Sequence, residues 1–269
     1  MPPFAADVAA LADRFLPLVS AVAISMGRPA GSALVLPVFT RAQLGGPVRA
    51  AFAFALGLAA IPGINLGLAA GPISLPLLAL LGVKEVFVGL IIGVLLGLPV
   101  WAVQSAGEFL DTQRSATQDR QSEPGSGNQN STTATFLGIT VVALFVISGG
   151  LNALVSTVGA SYGVWPALQF LPLPTTGWAS FLFGLLDHLT LVSLSLAAPV
   201  IVGMILCEAC VILLMRAVPK LQIYDLAPTL RNLMFVVLMM LYAQYLVAYM
   251  QREIGHLQDA AIQLRELLR

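Results

Sequence analysis

Two cysteines flank a carboxylate in the stretch Cys207-Glu208-Ala209-Cys210. At helical spacing both sulfurs lie on one face, where a C-x-x-C pair can carry thiol–disulfide chemistry in a membrane. The chain has only these two cysteines, so no second pair is present to pass electrons on. Cysteine also packs as a small apolar residue inside helices, and packing is the favoured interpretation. A membrane thiol oxidoreductase remains the least favoured alternative.

Glu208 is a candidate in its own right, because it lies in the middle of an apolar block between Leu206 and Leu213. A charge at such a position is costly, so a partner or a function is its default interpretation. The expected partner is Arg216 or a basic group of another chain. A proton path is the weaker alternative, since one carboxylate without a chain of others is little evidence for it.

The remaining chemically active residues give no catalytic pattern. Lys84-Glu85 and Asp187-His188 each stand where an apolar run begins. A membrane boundary is the expected position of Asp187-His188, and a position at the boundary or within the membrane is expected for Lys84-Glu85. His188 and His256 are far apart and belong to no cluster with metal-ligand spacing. H-E-x-x-H, Walker and G-x-S-x-G motifs are all missing from the sequence. The sequence therefore predicts no enzyme, no cofactor and no metal site.

Composition assigns the chain to the multi-pass membrane class. Charged residues make up 10% of the 269 residues, hydrophobic residues 58%, and the mean hydropathy is +0.90. A soluble domain has about 25% charged residues. The formal net charge is zero, so nothing indicates a nucleic-acid partner. Six apolar blocks lie at about 14–37, 47–68, 75–103, 136–165, 181–215 and 232–250.

Both ends of the chain carry a prediction. Asp7, Asp13 and Pro17 argue against a cleaved signal peptide, so an uncleaved first membrane helix is expected. The last segment, about 251–269, has an amphipathic period and is expected to lie on the membrane surface, cap a partner or form a solvated helix.

The basic segments joining blocks one and two and blocks five and six indicate a cytoplasmic side. The basic C-terminal tail conflicts with this, so orientation stays open. The basic residues involved are Arg28, Arg41, Arg49, Arg216, Lys220, Arg231, Arg252, Arg265 and Arg269.

A polar insert at about 108–135 separates two apolar halves. The flanking stretches 50–83 and 124–186 contain no charged residue, and each is longer than the roughly 20 apolar residues that cross a bilayer. The insert must therefore sit in water, either as a soluble loop or in an aqueous space that the protein encloses. It is rich in glycine, serine and asparagine, which is typical of a flexible segment.

Prolines and glycines interrupt nearly every apolar block. A proline in a membrane helix frees a backbone carbonyl, which neighbours or water must satisfy. Glycines repeat every four residues in two ladders, and small residues at this spacing let helix backbones approach closely. The sequence thus predicts a single membrane domain, residues 1–269, of bent and densely packed helices. The ladders are Gly63, Gly67, Gly71 and Gly89, Gly93, Gly97.

Several separated patterns occur in order along the chain: Pro37-Val38-Phe39 through Gly46-Pro47-Val48-Arg49; Lys84-Glu85 with Gly89 and Gly93; Gly107-Glu108 with Asp111, Gln113 and Arg114; Glu123-Pro124; and Arg216-Ala217-Val218-Pro219-Lys220-Leu221. Together they resemble the FliR/SctT family (YscT, HrcT, SpaR), a subunit of the type III secretion export gate. Serine at Ser115 and lysine at Lys220 depart from the family's usual glycine and glutamine. Ser161-Tyr162 with Trp165-Pro166, and Glu208 before Arg216, are more similar to the injectisome branch than to the flagellar one.

The resemblance implies an all-α fold similar to a fusion of SctR-like (FliP-like) and SctS-like (FliQ-like) subunits. It implies a non-catalytic subunit of a closed channel in the bacterial inner membrane, within the secretion system base, through which unfolded proteins pass. An SctU-like (FlhB-like) switch protein and membrane lipid are the further partners. A stand-alone secondary transporter is the rival, although no internal repeat supports it. The resemblance also places the insert in the pore as a plug, with Glu108, Asp111, Gln113, Arg114, Asp119, Arg120, Glu123 and Pro124 as candidate plug residues.

Overall fold

The computed structural model describes residues 3–41, 44–69, 74–114, 121–122, 129–170, 178–217 and 227–255. Helices dominate this part of the chain, and its strands are a single antiparallel pair of two residues each. The elements are α1 Pro3–Val35, α2 Pro37–Arg41, α3 Gly46–Gly57, a 3-10 helix Leu58–Ala60, α4 Ile61–Ala69, α5 Leu75–Gln113, β1 Gln121–Ser122, β2 Gln129–Asn130, α6 Thr132–Ile147, α7 Gly150–Val164, α8 Trp178–Ala217 and α9 Ala227–Gly255.

Five stretches are long and apolar enough to cross a membrane. The fourth apolar block is instead two helices, α6 and α7, bent by 65° at their junction, which make a sixth span if counted together. The expectation of an all-α, multi-pass membrane protein with bent helices is therefore confirmed. The five stretches are Phe15–Val35, Gly46–Ala69, Leu75–Gln113, Phe183–Leu214 and Thr229–Gly255.

Local sequence explains the junctions on both sides of α7. Gly149 precedes α7 with φ +83°, a backbone conformation that suits glycine, and so it ends one helix and starts the next. At the other end, Trp165 stands before Pro166 and has an extended backbone (φ −132°, ψ 93°). The proline ring excludes helical geometry for the residue before it, so α7 stops at Val164.

Contacts divide the chain into two compact units. The first takes its described residues from 3–97 and 149–182, and the second from 98–148 and 183–255. The single membrane domain expected from the sequence stays a prediction.

In the first unit, α1 packs against α3 and α4 and crosses α5 at close range. A Cβ built on Gly31 would lie 3.1 Å from the Gly89 Cα, and one built on Gly93 would lie 2.8 Å from the Ser32 carbonyl oxygen. Glycine at these positions allows the two backbones to touch. The second predicted ladder therefore serves a contact within the chain, and its third member, Gly97, is buried.

The first predicted ladder behaves differently. Gly67 packs closely against the Leu168 side chain, whereas a Cβ on Gly63 would meet nothing within 4 Å. Gly71 lies outside the described residues.

In the second unit, α8 and α9 run antiparallel to each other. Three contacts fix this register: His188 with Glu253, Gly203 with Leu238, and Glu208 with Arg231. Residues spaced by four bury one stripe of each helix, as expected for helix packing. The stripes are Val192, Leu196, Val200 and Met204 on α8, and Leu246, Met250 and Ile254 on α9.

Helices overlap the ends of two predicted segments. The insert predicted at about 108–135 begins within α5, which continues to Gln113, and ends within α6, which begins at Thr132. Glu108, Asp111 and Gln113 are therefore helical residues at its edge. Of the predicted amphipathic segment 251–269, residues 251–255 are the end of α9, and the rest lies outside the described residues.

Candidate functional site

A fully buried ion pair joins α1 to α5 in the first unit. The Arg28 and Glu85 side chains are both 0% exposed. The Arg28 Nε donates to Glu85 Oε2 at 2.5 Å and its Nη2 to Oε1 at 3.1 Å, a two-point contact that fits the planar guanidinium. Its Nη1 donates to Ser161 Oγ at 2.8 Å, and Nη2 also donates to the Trp165 carbonyl. The Tyr162 ring centroid lies 4.1 Å from the guanidinium carbon.

Lys84 adds a second buried cation beside this pair. Its Nζ lies 2.5 Å from Glu85 Oε1 and donates to three backbone carbonyls, those of Pro166 at 3.1 Å, Ala167 at 2.8 Å and Gln169 at 3.1 Å. One carboxylate thus faces two cations. The remaining negative potential comes from carbonyl groups that follow the C-terminal end of α7, where the helix dipole also favours cations.

A tyrosine satisfies the carbonyl that a proline frees. Pro29 has no backbone N–H, so the Ser25 carbonyl, four residues earlier in α1, lacks its helical partner. The Tyr162 hydroxyl donates to this oxygen at 3.2 Å. The expectation that neighbours satisfy the groups freed by proline holds at this site.

The charge cluster therefore ties α1, α5 and the segment after α7 together. Neither a nucleophile with an activating base nor a metal-ligand set occurs in it, so its geometry suits structure rather than reaction. Buried ion pairs of this kind contribute little net stability against an apolar replacement, but losing one partner is costly.

Lys84 and Glu85, expected within the membrane or at its boundary, lie ten residues into α5 and are buried, because Arg28 and backbone carbonyls offset their charges. One sequence interpretation is corrected by this cluster. Arg28 was assigned to a basic segment between the first two apolar blocks. It lies inside α1 instead. Its position within the block 14–37 was the available signal, since a charge within an apolar block predicts a partner.

In the second unit, Asp111 closes the base of the polar insert. Its Oδ2 accepts the Thr133 backbone N–H at 2.8 Å, and its Oδ1 accepts the Thr133 hydroxyl at 2.5 Å. Thr133 is in the first turn of α6, where backbone N–H groups lack helical partners and the helix dipole favours an anion. Ser131 caps the same turn through a bond from the Ala134 N–H at 3.2 Å. Asp111 is 1% exposed.

Arg114 and Gly107 complete this contact, which we call the insert clasp (Gly107, Asp111, Arg114, Thr133 and Ala134). Arg114 Nη2 lies 2.8 Å from Asp111 Oδ1, and its guanidinium carbon lies 4.4 Å from the Phe235 ring centroid. A Cβ on Gly107 would lie 2.5 Å from the Ala134 Cα, so glycine allows α5 and α6 to meet. The clasp fixes both ends of the insert, within which β1 pairs with β2.

Glu208 has a partner other than the expected one. It forms an ion pair with Arg231 of α9. Arg216 lies two helical turns further along α8, beyond reach, and is exposed without an ion pair to any described residue. The Glu208 side chain is 40% exposed although it lies in an apolar span. Cys207 and Cys210 are free thiols.

The other predicted site residues lie on the surfaces or at the ends of helices, or outside the described residues. Glu108 is exposed on α5 and Gln113 half-buried at its end. Asp187 and His188 are exposed on α8, with His188 Nε2 3.4 Å from Glu253 Oε2. Among the described residues, no three His, Cys, Asp or Glu side chains form a group that could hold a metal. Asp119, Arg120, Glu123, Pro124, Pro219 and Lys220 lie outside the described residues.

Comparison with known proteins assigns the family. The family described as bacterial export proteins, family 1, matches residues 19–257. The Yop proteins translocation protein T of Yersinia pestis is 30% identical over 217 residues, 80% of this chain and 83% of that protein. SpaR, the surface presentation of antigens protein of Salmonella typhimurium, is 28% identical over 84% of this chain and 83% of its own length.

A flagellar relative matches less of the chain. The flagellar biosynthetic protein FliR of Caulobacter vibrioides is 27% identical over 186 residues, 68% of this chain and 73% of FliR. The longer matches to protein T and SpaR confirm the resemblance to FliR/SctT and favour the injectisome branch. With a family match that spans nearly all described residues, this chain belongs to family 1 of the bacterial export proteins.

Proposed function

We propose that this chain is a non-catalytic core subunit of the type III protein export gate. With SctR-like and SctS-like subunits it forms a closed channel in the bacterial inner membrane, at the base of the secretion system. Unfolded secreted proteins pass through this channel. An SctU-like switch protein contacts the same assembly. The family match over residues 19–257 carries the proposal.

The exposure of the apolar spans supports a multi-subunit assembly. In an apolar 18-residue stretch of each span, only 22% is buried within the chain for Gly46–Ala69, 28% for Phe183–Leu214 and 17% for Thr229–Gly255. Lipid can cover apolar side chains, but it is a poor solvent for the half-exposed pair Glu208–Arg231. A protein or aqueous neighbour at this face satisfies the pair better than acyl chains do.

The insert clasp supports a plug. A polar segment between two membrane helices needs water, and a pore enclosed by the assembly provides it. The clasp holds the two ends of the segment together and keeps α5 and α6 in contact at its base. Asp111 and Arg114 then anchor the plug, and residues 115–130 are the part that fills the pore.

Co-purification tests the assembly. The chain is expressed alone and together with its SctR-like and SctS-like partners, and detergent extracts are separated by size. We expect the chain to be poorly stable alone and to enter one complex with both partners. A well-behaved monomer that purifies alone and binds neither partner would contradict the proposal.

A Glu208→Gln variant shows whether the Glu208–Arg231 face takes part in the assembly. The matched control is Glu108→Gln, at an exposed position, and only Glu208→Gln is expected to weaken the complex.

A further inference from the structure

The turn after α7 directs three carbonyl oxygens to one point. Gln169 N donates to the Pro166 carbonyl at 3.2 Å and closes the turn. The carbonyl oxygens of Pro166, Ala167 and Gln169 then lie 3.1, 2.8 and 3.1 Å from the Lys84 Nζ. The Trp165 indole N–H also donates to the Gln169 carbonyl at 3.1 Å.

Converging carbonyl dipoles repel one another unless a cation lies between them. Rings of backbone carbonyls replace the hydration shell of K⁺ in this way. Here the ammonium group of the buried Lys84, whose side chain is 5% exposed, lies between the three carbonyls. Glu85 Oε1 contacts both the Lys84 Nζ and the Arg28 Nη2, so one carboxylate is shared by two cations. The carbonyls therefore offset the part of the positive charge that Glu85 leaves.

We propose that the carbonyl oxygens of Pro166, Ala167 and Gln169 form a site for a monovalent cation, which Lys84 fills as a tethered ammonium. An ammonium group and K⁺ are similar in size, and the three distances suit either ion. When the lysine side chain is shortened, the site accepts K⁺ or a small alkylammonium ion.

The opposite face of the same turn packs against the apolar core of the first unit. Ala167 is buried in an apolar cluster with Ala21, Ile24, Ile64 and Leu68, and Leu168 packs against Gly67. The turn also lines a cavity of about 560 Å³ between the 3-10 helix, α4 and α7. The tethered cation thus holds the turn against α1 and α4. Without a cation in the site, the turn leaves the cluster and Ala167 becomes accessible.

A thiol placed at Ala167 reports this opening. Ala167→Cys is made in a Cys207→Ser, Cys210→Ser background, in the complete complex in detergent, and maleimide labelling is timed. We expect Lys84→Ala to speed labelling by about tenfold in Na⁺ or tetramethylammonium. A tenfold change corresponds to about 1.4 kcal/mol. K⁺ or methylammonium at the same ionic strength restores slow labelling. Val83→Ala, at an exposed neighbouring position, leaves the rate unchanged.

Four results would overturn the proposal. Labelling of Lys84→Ala at the rate of the parent means that the turn does not need the cation. Equal rescue by every cation reduces the effect to ionic strength, and rescue by none means that the carbonyls do not bind a free ion. Lys84→Ser, whose hydroxyl can join the three carbonyls around K⁺, replaces Lys84→Ala if the latter does not accumulate. If neither variant accumulates with K⁺ or methylammonium present throughout extraction, the proposal also fails.

Discussion

Tyr162 donates its hydroxyl hydrogen to the Ser25 carbonyl at 3.2 Å, and this carbonyl is the one that Pro29 deprives of its helical partner. The pair links α7 to the interior of α1 across 137 residues of sequence. A proline break in a membrane helix is therefore compensated by one identifiable side chain.

Tyr162→Phe should lower stability by about 1–3 kcal/mol, because the buried Ser25 carbonyl loses its donor. The phenylalanine ring can still stack on Arg28, so the change isolates the hydroxyl. In a Pro29→Ala background the new backbone N–H can reach Ser25, and the loss should shrink to a few tenths of a kcal/mol. Unfolding in detergent measures both values, with Tyr245→Phe, at an exposed position, as the control. Equal losses in the two backgrounds would show that the hydroxyl does not serve the freed carbonyl.

Glu85→Gln should be among the most damaging single changes in the chain. It leaves two buried cations without a carboxylate, and breaking a buried ion pair costs about 3–5 kcal/mol. The double change Arg28→Met with Glu85→Met should cost less than Glu85→Gln alone. Accumulation in membranes and unfolding in detergent provide the measurement, with the exposed Glu108→Gln expected to be neutral. A double variant weaker than the single one would contradict this account of the cluster.

Gly93→Ala should destabilise the chain itself, because the added methyl group meets the Ser32 carbonyl oxygen at 2.8 Å. Forcing a side chain into such a contact costs about 1–3 kcal/mol. Gly93→Leu should consequently abolish assembly through loss of the fold. Gly63→Ala is the matched control, since a methyl group there has open space. A chain that unfolds equally easily with either alanine would argue against the close crossing of α1 and α5.

Asp111→Ala should loosen the base of the insert. The change leaves the Thr133 N–H without its acceptor and costs about 1–3 kcal/mol. Hydrogen exchange at the Thr133 and Ala134 amides should speed up accordingly, by about one to two orders of magnitude. Glu108→Ala, less than one turn away on the exposed face of α5, should leave these amides protected. Unchanged exchange in Asp111→Ala would mean that the clasp does not hold α6.

The sequence predicted the membrane class and the helical spans because charge-free runs are directly visible in it. The break at Gly149 and the end of α7 at Val164 were not predicted, because residues 136–165 form one continuous apolar run in the sequence. The sequence did not reveal which side chains that are distant along the chain pair with each other. The sequence marked Lys84-Glu85 as unusual. It did not reveal that Glu85 pairs with Arg28, 57 residues away, or that Lys84 donates to a turn near residue 167.

Glu208 illustrates the same limit. The sequence indicated that it needs a cation, and the nearest one along the helix is Arg216. The register of α8 against α9 decides for Arg231 instead. Asp111 was grouped with the polar insert because of its neighbours, whereas its carboxylate caps the first turn of α6. Such pairings follow from tertiary packing, which one sequence does not reveal.

Ion leakage through a gate with a shortened insert tests whether the insert plugs the pore. Asp111 and Thr133 are in contact, so residues 115–130 can be deleted and Arg114 joined to Ser131 by a short glycine linker without disturbing the clasp. Membrane potential is measured in cells that make the complete gate, beside cells carrying an insert of the original length and scrambled sequence. We predict that the shortened gate assembles and depolarises the membrane, whereas the scrambled one leaks little. A shortened gate that assembles fully and stays ion-tight would contradict the account of the insert as a pore plug.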